Sequence, residues 1–317
     1  MANKVLDDLV INKGEIINYN SSLNYPNYTE NGSYIDPKKI SSISLNKNLK
    51  KTCKHALNNA TLPWLLEIIE SQQDPVNFKE AVLSGVQLYF DGLVERRNET
   101  PNPEIWGEQL ETLNALLKGV RMTVASYYRQ ARDIPFDEVR EIVLPHGSKI
   151  IRHGSRDLCR TRHLAGQDLL VKEGILETID ALGGEKVDLI IPVASGGFES
   201  AVLMADYLGV DNVFPARYSI FSRNDREVLL PGNAPLNYPK QQISKKGVLI
   251  MDDIVSSGAT ACKMTQWAKK YNPTKVYFSV ASGTSKDLRD HKLFRHNDSD
   301  YLLELEEKKS LLGRLVL

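Results

Sequence analysis

The segment that decides the fold is Val248–Thr260, VLIMDDIVSSGAT. Its four leading apolar residues predict a buried strand, and Asp252 and Asp253 follow where that strand leaves the core. Small residues from Ser256 onward then predict a loop that leads into a helix. Backbone N–H groups at a helix N-terminus, hydroxyl donors and a glycine are typical of a phosphate-binding loop, while paired acids suit sugar hydroxyls or a divalent cation. The segment therefore predicts a site for a phosphorylated sugar.

Short apolar runs alternate with amphipathic stretches on both sides of this segment, which predicts a parallel sheet covered by helices on both faces. Ligands in such sheets bind at the carboxyl ends of the strands, so the loops at 194–197 and 252–260 become the candidate site. The predicted strands are Val187–Val193, Val213–Ile220, Gly247–Ile254 and Lys275–Val280, and the predicted helices between them are Phe198–Leu208 and Thr260–Tyr271.

The same thirteen residues resemble the phosphoribosyl-pyrophosphate (PRPP) motif of the type I phosphoribosyltransferases: four hydrophobic residues, two acids, two hydrophobic residues and a Ser/Thr-Gly-x-Thr loop. Upstream, Ile190–Ser200 (IIPVASGGFES) is similar to the pyrophosphate loop of that family. The resemblance covers about residues 148–283. It implies an α/β fold, a parallel-sheet type I phosphoribosyltransferase-like domain preceded by a mainly α-helical N-terminal domain.

The resemblance also implies site residues, with Mg²⁺ as the cofactor. Asp252 and Asp253 would bind the ribose 2′- and 3′-hydroxyls, directly or through Mg²⁺, which keeps most of its waters. Residues 222–246 form a long polar connection without periodicity, which predicts a loop without regular structure. By the resemblance, this loop would close over the reaction centre and exclude water. The 5′-phosphate would be held by Ser256, Ser257, Gly258, Ala259 and Thr260, the pyrophosphate by Ala194, Ser195, Gly196, Gly197 and Arg217, and the closing loop would contribute Arg223 and Arg226.

The acceptor base stays open at this point. Family members that act on 6-oxopurines have an Asp where this chain has Ser256, and uracil enzymes usually replace the acid at Asp253 with proline. Both subtypes are therefore disfavoured, while adenine-type and orotate-type loops both fit.

A basic stretch, SKIIRHGSRDLCRTRH from Ser148 to His163, is one candidate for the hood over the base; the chain after Gly283 is another. Two interpretations stand. The basic residues form ordinary surface ion pairs, or they bind an anion such as an acidic base, a nucleotide or a nucleic-acid end. The residues concerned are Lys149, Arg152, Arg156, Arg160 and Arg162, against the single acid Asp157.

The chain before this region divides into an irregular segment, 1–47, and a helical domain or extension, 48–144, with the phosphoribosyltransferase-like part at 145–317. Helix starts are predicted at Thr61 with Pro63, at Asp74-Pro75 and at Asn102-Pro103, where a capping side chain precedes a proline. Apolar residues then recur at helical spacing, which is typical of a packed core.

Composition limits the class of protein. Among 317 residues, 40 Lys and Arg balance 40 Asp and Glu, so a basic nucleic-acid coat is disfavoured. Three cysteines far apart predict a reducing compartment, and no apolar run approaches the roughly 18–20 residues of a membrane span. We therefore expect a cytoplasmic protein that does not bind membranes.

The sequence thus predicts a glycosyltransferase that moves 5-phosphoribose from PRPP to a nitrogenous base or related acceptor and releases pyrophosphate. Two other functions stay open: a PRPP- or nucleotide-sensing regulator, and a defence or toxin-type effector that acts on nucleotides. A homodimer is the default from the family resemblance. The helical domain is also a candidate surface for a nucleic-acid or protein partner.

Overall fold

A computed structural model describes residues 61–96, 101–129, 133–156, 168–194, 196–218, 227–255, 259–283 and 293–294. Within these ranges no helix is both long enough and apolar enough to cross a bilayer.

The first part of the structure is a bundle of helices. α2 begins after Asp74, whose side chain accepts a hydrogen bond from the Asn77 N–H at 2.9 Å, and α3 begins after Asn102, which caps the Glu104 N–H at 2.9 Å. Thr61 precedes α1 as predicted, but its hydroxyl makes no capping bond. The helices are α1 (Leu62–Ser71), α2 (Pro75–Glu95), α3 (Pro103–Arg129) and α4 (Phe136–Val143), then a 3₁₀ turn (Leu144–His146) and α5 (Gly147–His153).

The second part is a sheet in which three strands run parallel, in the order β1-β2-β3, and a short fourth strand pairs antiparallel with β3. Its strands are β1 (Leu189–Pro192), β2 (Gly247–Val255), β3 (Lys275–Gly283) and β4 (Leu293–Phe294), and its helices are α6 (Asp168–Leu182), α7 (Phe198–Leu208), α8 (Tyr238–Ile243) and α9 (Ala259–Lys269). The predicted fold class, a parallel sheet with helices preceded by a helical region, is confirmed.

Alternate residues of each strand enter two different cores. On one face, Ile190 of β1 and Leu249 of β2 join a core that continues through α7 into the helical bundle. On the other face, Ile191 and Ile250 join a core under α9. The helical bundle is therefore packed against α7, which covers one face of the sheet, and the two regions share one hydrophobic core.

Two predicted elements differ from the structure. Within the described residues 213–218, the strand predicted at 213–220 appears as isolated bridges, among them Ile190 with Val213 and Val193 with Ala216. The ladder to β1 is interrupted at Pro192, which accepts from the Ala216 N–H but has no N–H of its own to donate. The connection predicted to lack regular structure over 222–246 contains α8, which is held down by the buried Ile243. The prediction was therefore wrong for Tyr238–Ile243, because the apolar side chains that anchor α8 are too few to give a periodic pattern.

Candidate functional site

The candidate site lies at the carboxyl ends of β1 and β2. The two strands pair in parallel register, with Pro192 opposite Met251, so the loop after β1 and the acids of β2 leave the sheet side by side. Asp252 and Asp253 lie among the last residues of β2, as in the predicted strand Gly247–Ile254. The structure thus brings together the predicted loop 194–197 and the two predicted acids. Ser195, Ser256, Ser257 and Gly258 lie outside the described residues.

Asp252 is a buried carboxyl group. Its side chain is 7% exposed, and its Oδ1 accepts a hydrogen bond from the Asp253 N–H at 3.0 Å. Burial, and then the neighbouring Asp253 charge, raise the pKa of Asp252 well above its usual value. Two adjacent carboxylates that disfavour each other's charge form a place where a hydroxyl donor or a cation is stabilised.

The glycines of the loop allow it to approach the acids. A Cβ atom at Gly196 would overlap the Asp253 carboxylate, and one at Gly197 would overlap the Met251 carbonyl oxygen. Only residues without a side chain fit between the loop and β2 here. The Gly-Gly step therefore has a packing reason, which is independent of any ligand.

The loop amides are already engaged in the structure. The Ala194 N–H donates to the Ala216 carbonyl at 2.7 Å, and the N–H groups of Gly196 and Gly197 both point to the Val193 carbonyl, at 3.4 and 3.0 Å. A backbone cradle for a diphosphate needs amides that point outward. For these three amides, such a cradle would require this turn to change its hydrogen bonds.

Arg217 lies beside the loop but is bound to the helical region. Its Nη1 is 3.0 Å from Oδ1 of Asp91, near the carboxyl end of α2. Its backbone exchanges two hydrogen bonds with Leu229, at 3.0 and 2.7 Å, which anchors the residue to the connection that follows. Arg223 and Arg226 lie outside the described residues. Ala259 begins α9, and the half-buried Thr260 follows in its first turn.

The described part of the basic stretch forms ion pairs with α3. Lys149 is 3.2 Å from Glu111, and Arg152 is 3.4 Å from Glu108, which also hydrogen-bonds His153 at 2.7 Å. The His153 hydrogen bond lowers the pKa of Glu108. Surface ion pairs therefore account for Lys149 and Arg152. Arg156 is exposed, whereas Arg160, Arg162 and Asp157 lie outside the described residues.

Sequence reasoning missed the contacts between the helical region and the site. Lys79 of α2 forms a buried ion pair with Glu199, in the first turn of α7, and Asp91 pairs with Arg217. The only sequence signal is that charged residues interrupt a helix that is otherwise apolar on most sides. Such residues are rarely buried without a partner, but the pattern does not identify that partner.

The raised pKa of Asp252 predicts that replacing this residue changes how the stability of the protein depends on pH. A carboxyl group whose folded-state pKa is raised stabilises the fold fully below its ordinary value of about 3.9 and loses that contribution as pH rises through the folded-state pKa. Asp252→Asn keeps the oxygen acceptor and removes the charge. We expect it to raise the melting temperature of the ligand-free protein at neutral pH, with a gain that shrinks as pH falls.

Asp188 gives a control of opposite sign. Lys186 lowers the pKa of Asp188, and the Gly247 N–H donates to its Oδ2 at 2.9 Å, so Asp188→Asn should lower stability at neutral pH. Melting curves from about pH 5 to about pH 8 would compare the two variants. A lower melting temperature for Asp252→Asn at neutral pH would contradict the raised pKa of Asp252.

Comparison with known proteins agrees with the motif. The family model for the phosphoribosyl transferase domain matches residues 169–301, which include β1, β2, β3 and the candidate site. Residues 169–301 are thus similar to a phosphoribosyl transferase domain. The helical bundle lies outside the match.

Two curated relatives and one solved structure illustrate the range of similar proteins. An amidophosphoribosyltransferase from Saccharomyces cerevisiae is 31% identical over 144 residues, covering 41% of this chain and 27% of the relative. The transcriptional regulator GfcR 2 from Methanosarcina barkeri is 29% identical over 86 residues, covering 27% and 39%. A purine phosphoribosyltransferase structure from Pyrococcus horikoshii has 23% identity and a TM-score of 0.30, covering 36% of this chain and 74% of that one. The chain thus spans between a quarter and two fifths of the length of these two curated relatives.

Proposed function

We propose that the chain is a phosphoribosyltransferase. The phosphoribosyltransferase domain supports phosphoribosyl transfer in general, and the observation that carries the specific proposal is the placement of Asp252 and Asp253 beside the Gly196–Gly197 turn at the carboxyl ends of two parallel strands. An acceptor nitrogen attacks C1 of PRPP, the bond from C1 to the pyrophosphate oxygen breaks, and pyrophosphate leaves with the electron pair. The transition state then needs both a stabilised cationic sugar and a stabilised anionic leaving group.

The protein's residues divide these tasks. Asp252 and Asp253 bind the ribose hydroxyls and place negative charge beside the cationic sugar. The loop 256–260 at the start of α9 holds the 5′-phosphate. The turn 194–197 and Arg217 hold the pyrophosphate, and for the amides of that turn this requires leaving the Val193 and Ala216 carbonyls. Arg223 and Arg226 belong to the segment that covers the site.

The residues fit Mg²⁺ as a cofactor held mainly by substrate. Among the residues that the structure describes, no group of three or more His, Cys, Asp or Glu could hold a metal by itself. Two adjacent carboxylates suit an ion that keeps its waters and takes its other ligands from phosphate oxygens. Asp252 and Asp253 would hold it, directly or through water, and bound Mg²⁺ would neutralise charge on the leaving pyrophosphate.

The proposed acceptor is a small nitrogenous base, with adenine-type and orotate-type acceptors both open. A homodimer in the cytoplasm and the division into segments 1–47, 48–144 and 145–317 stay predictions, as does a nucleic-acid or protein partner on the helical region.

A second candidate function is a PRPP- or nucleotide-sensing regulator. The observation that favours it is the similarity to a protein named as a transcriptional regulator. Such a regulator would use the same site to bind PRPP and would not turn it over.

One experiment separates these functions. PRPP binding is measured by calorimetry with Mg²⁺, and pyrophosphate release is then measured with adenine, hypoxanthine, guanine, uracil and orotate in turn. Release that depends on one base supports the transferase. Binding without release from any base supports the regulator, and an absence of PRPP binding contradicts both.

A further inference from the structure

Arg217 is oriented by a carboxylate from outside the phosphoribosyltransferase domain. The ion pair joins Arg217 Nη1 to Asp91 Oδ1 at 3.0 Å, and both side chains are largely buried, with 24% and 17% of their surface exposed. Partly buried charges are screened by salt much less than charges on an open surface. This contact therefore restrains the guanidinium more firmly than an ordinary surface pair.

The backbone of Arg217 is fixed at the edge of the candidate site. The Ala216 N–H donates to the Pro192 carbonyl at 3.2 Å, and the Ala194 N–H donates back to the Ala216 carbonyl at 2.7 Å. Arg217 directly follows Ala216, which forms the bridge with Val193 just after β1. The turn 194–197 leaves the sheet at the same place. Its two hydrogen bonds with Leu229 fix the opposite side. With the backbone held on both sides, the direction of the guanidinium depends on the side-chain contacts.

A guanidinium suits this arrangement because its donors lie in one rigid plane. Arginine has five N–H donors in a fixed fork, so a contact at one nitrogen also sets the directions of the others. Anions such as phosphate and pyrophosphate bind this fork in defined geometry. Holding the fork in advance avoids ordering a long side chain when the anion binds.

We propose that Asp91 is a positioning residue, which orients Arg217 toward the pyrophosphate group of PRPP. The inference rests on the proposed function, because it takes Arg217 as a pyrophosphate ligand. It assigns a role to the helical region that the family domain does not contain: α2 completes the anion site of the neighbouring domain. The binding site for PRPP then depends on residues 91 and 217 together.

The test measures affinity for Mg²⁺-pyrophosphate by calorimetry and the KM values for PRPP and for the acceptor base. Asp91→Ala should weaken pyrophosphate binding and raise the KM for PRPP by about tenfold, the size expected when a hydrogen bond to a charged group is lost. The KM for the acceptor should stay within about twofold, because Asp91 acts through Arg217, the proposed ligand of the pyrophosphate. Asp91→Asn, which keeps an oxygen acceptor in place, should recover part of the affinity.

A second ion pair between the same two regions provides the matched control. Arg129 of α3 lies 2.6 Å from Asp206, near the end of α7 that is remote from the turn 194–197. Asp206→Asn breaks a contact of the same kind between the bundle and the domain. It should change the melting temperature by a similar amount and leave pyrophosphate affinity unchanged.

Each outcome decides the question. If pyrophosphate affinity is unchanged in Asp91→Ala, or weakens as much in Asp206→Asn, the positioning role is wrong. Tighter pyrophosphate binding in Asp91→Ala or Asp91→Asn would also overturn it, because Asp91 would then be competing with the anion. If Asp91→Ala does not fold, Asp91→Asn carries the test and should bind pyrophosphate about threefold more weakly than wild type. Wild-type protein that binds neither PRPP nor pyrophosphate would instead contradict the proposed function itself.

Discussion

Asp253→Asn should abolish measurable binding of PRPP. Asp253 lies at the carboxyl end of β2, and its carboxylate is in direct reach of the Gly196 turn. The substitution removes a negative charge and a charge-assisted hydrogen-bond acceptor from the proposed ribose and Mg²⁺ site. Losing such a bond costs about 1.5–3 kcal/mol, and losing the charge beside a cation adds to it, so affinity should fall about 100-fold or more. Isothermal titration calorimetry with Mg²⁺-PRPP measures this directly.

The control for this variant is an aspartate away from the strand ends. Asp211 has a side chain that is 94% exposed and pairs with Arg121 at 3.1 Å. Asp211→Asn should bind PRPP as the wild type does. The melting temperature of Asp253→Asn should be equal to or above that of the wild type, because the repulsion with Asp252 is relieved. Wild-type affinity in Asp253→Asn would remove Asp253 from the proposed site.

Much of the fold was predictable because the local sequence of its central strands and helices indicates their type and position. The helix at Phe198–Leu208 has the predicted bounds, and the central strand was placed to within one residue at its carboxyl end. Buried parallel strands are nearly all apolar, and the helices between them have a regular apolar stripe. In α2, the apolar residues that recur at helical spacing after Asp74-Pro75 are all buried: Phe78, Val82, Val86, Tyr89 and Leu93.

The parts that could not be predicted depend on contacts distant in sequence. The helix α8 is short and is held by the buried Pro239 and Ile243. It has too few residues for a helical period to be visible in the sequence. Tertiary packing, rather than local preference, fixes such segments.

The candidate site shows the same division. Asp252, Asp253 and the Gly-Gly turn are readable from sequence because they follow apolar strands at fixed spacing. The side chains of the helical region that pair with residues near the site could not be predicted from the sequence. Asp91 and Arg217 are 126 residues apart, and Lys79 and Glu199 are 120 residues apart. A sequence pattern reports that a charge is present on a buried helix face, but the opposite charge is identified only when the fold brings the two together.

Lys79 is the residue whose loss should destabilise the protein most. Its side chain is 3% exposed, its ammonium lies 2.5 Å from Glu199 and 3.5 Å from Glu80, and it also lies over the Tyr127 ring at 4.4 Å. Tyr128 donates its hydroxyl to the same Glu199 oxygen at 2.8 Å. The ammonium thus lies between two neighbouring carboxylates inside the shared core.

Lys79→Met keeps the length of the side chain and removes its charge. Two carboxyl groups then remain in a place with little access to water, and breaking a buried pair in this way costs about 3–5 kcal/mol. We expect the urea midpoint to fall accordingly, at an m-value close to that of the wild type. Because Glu199 lies in the first turn of α7, directly after the turn 194–197, PRPP affinity should weaken in the same variant.

A double-mutant cycle separates the lost pair from the lost packing. Glu199→Gln in the Lys79→Met background removes one of the two carboxylates that faced the Lys79 ammonium. The double variant should therefore be more stable than Lys79→Met alone. The cycle should give a coupling free energy of about 1–3 kcal/mol. Asp137→Asn provides the exposed comparison, since Asp137 is 89% exposed and its pair with Arg140 should contribute at most about 1 kcal/mol. If Lys79→Met were as stable as Asp137→Asn, or if the cycle gave no coupling, the ion pair would not be what joins the helical region to the domain. A strong coupling would mean that the Lys79–Glu199 pair holds α2 to the first turn of α7, next to the turn 194–197 of the candidate site.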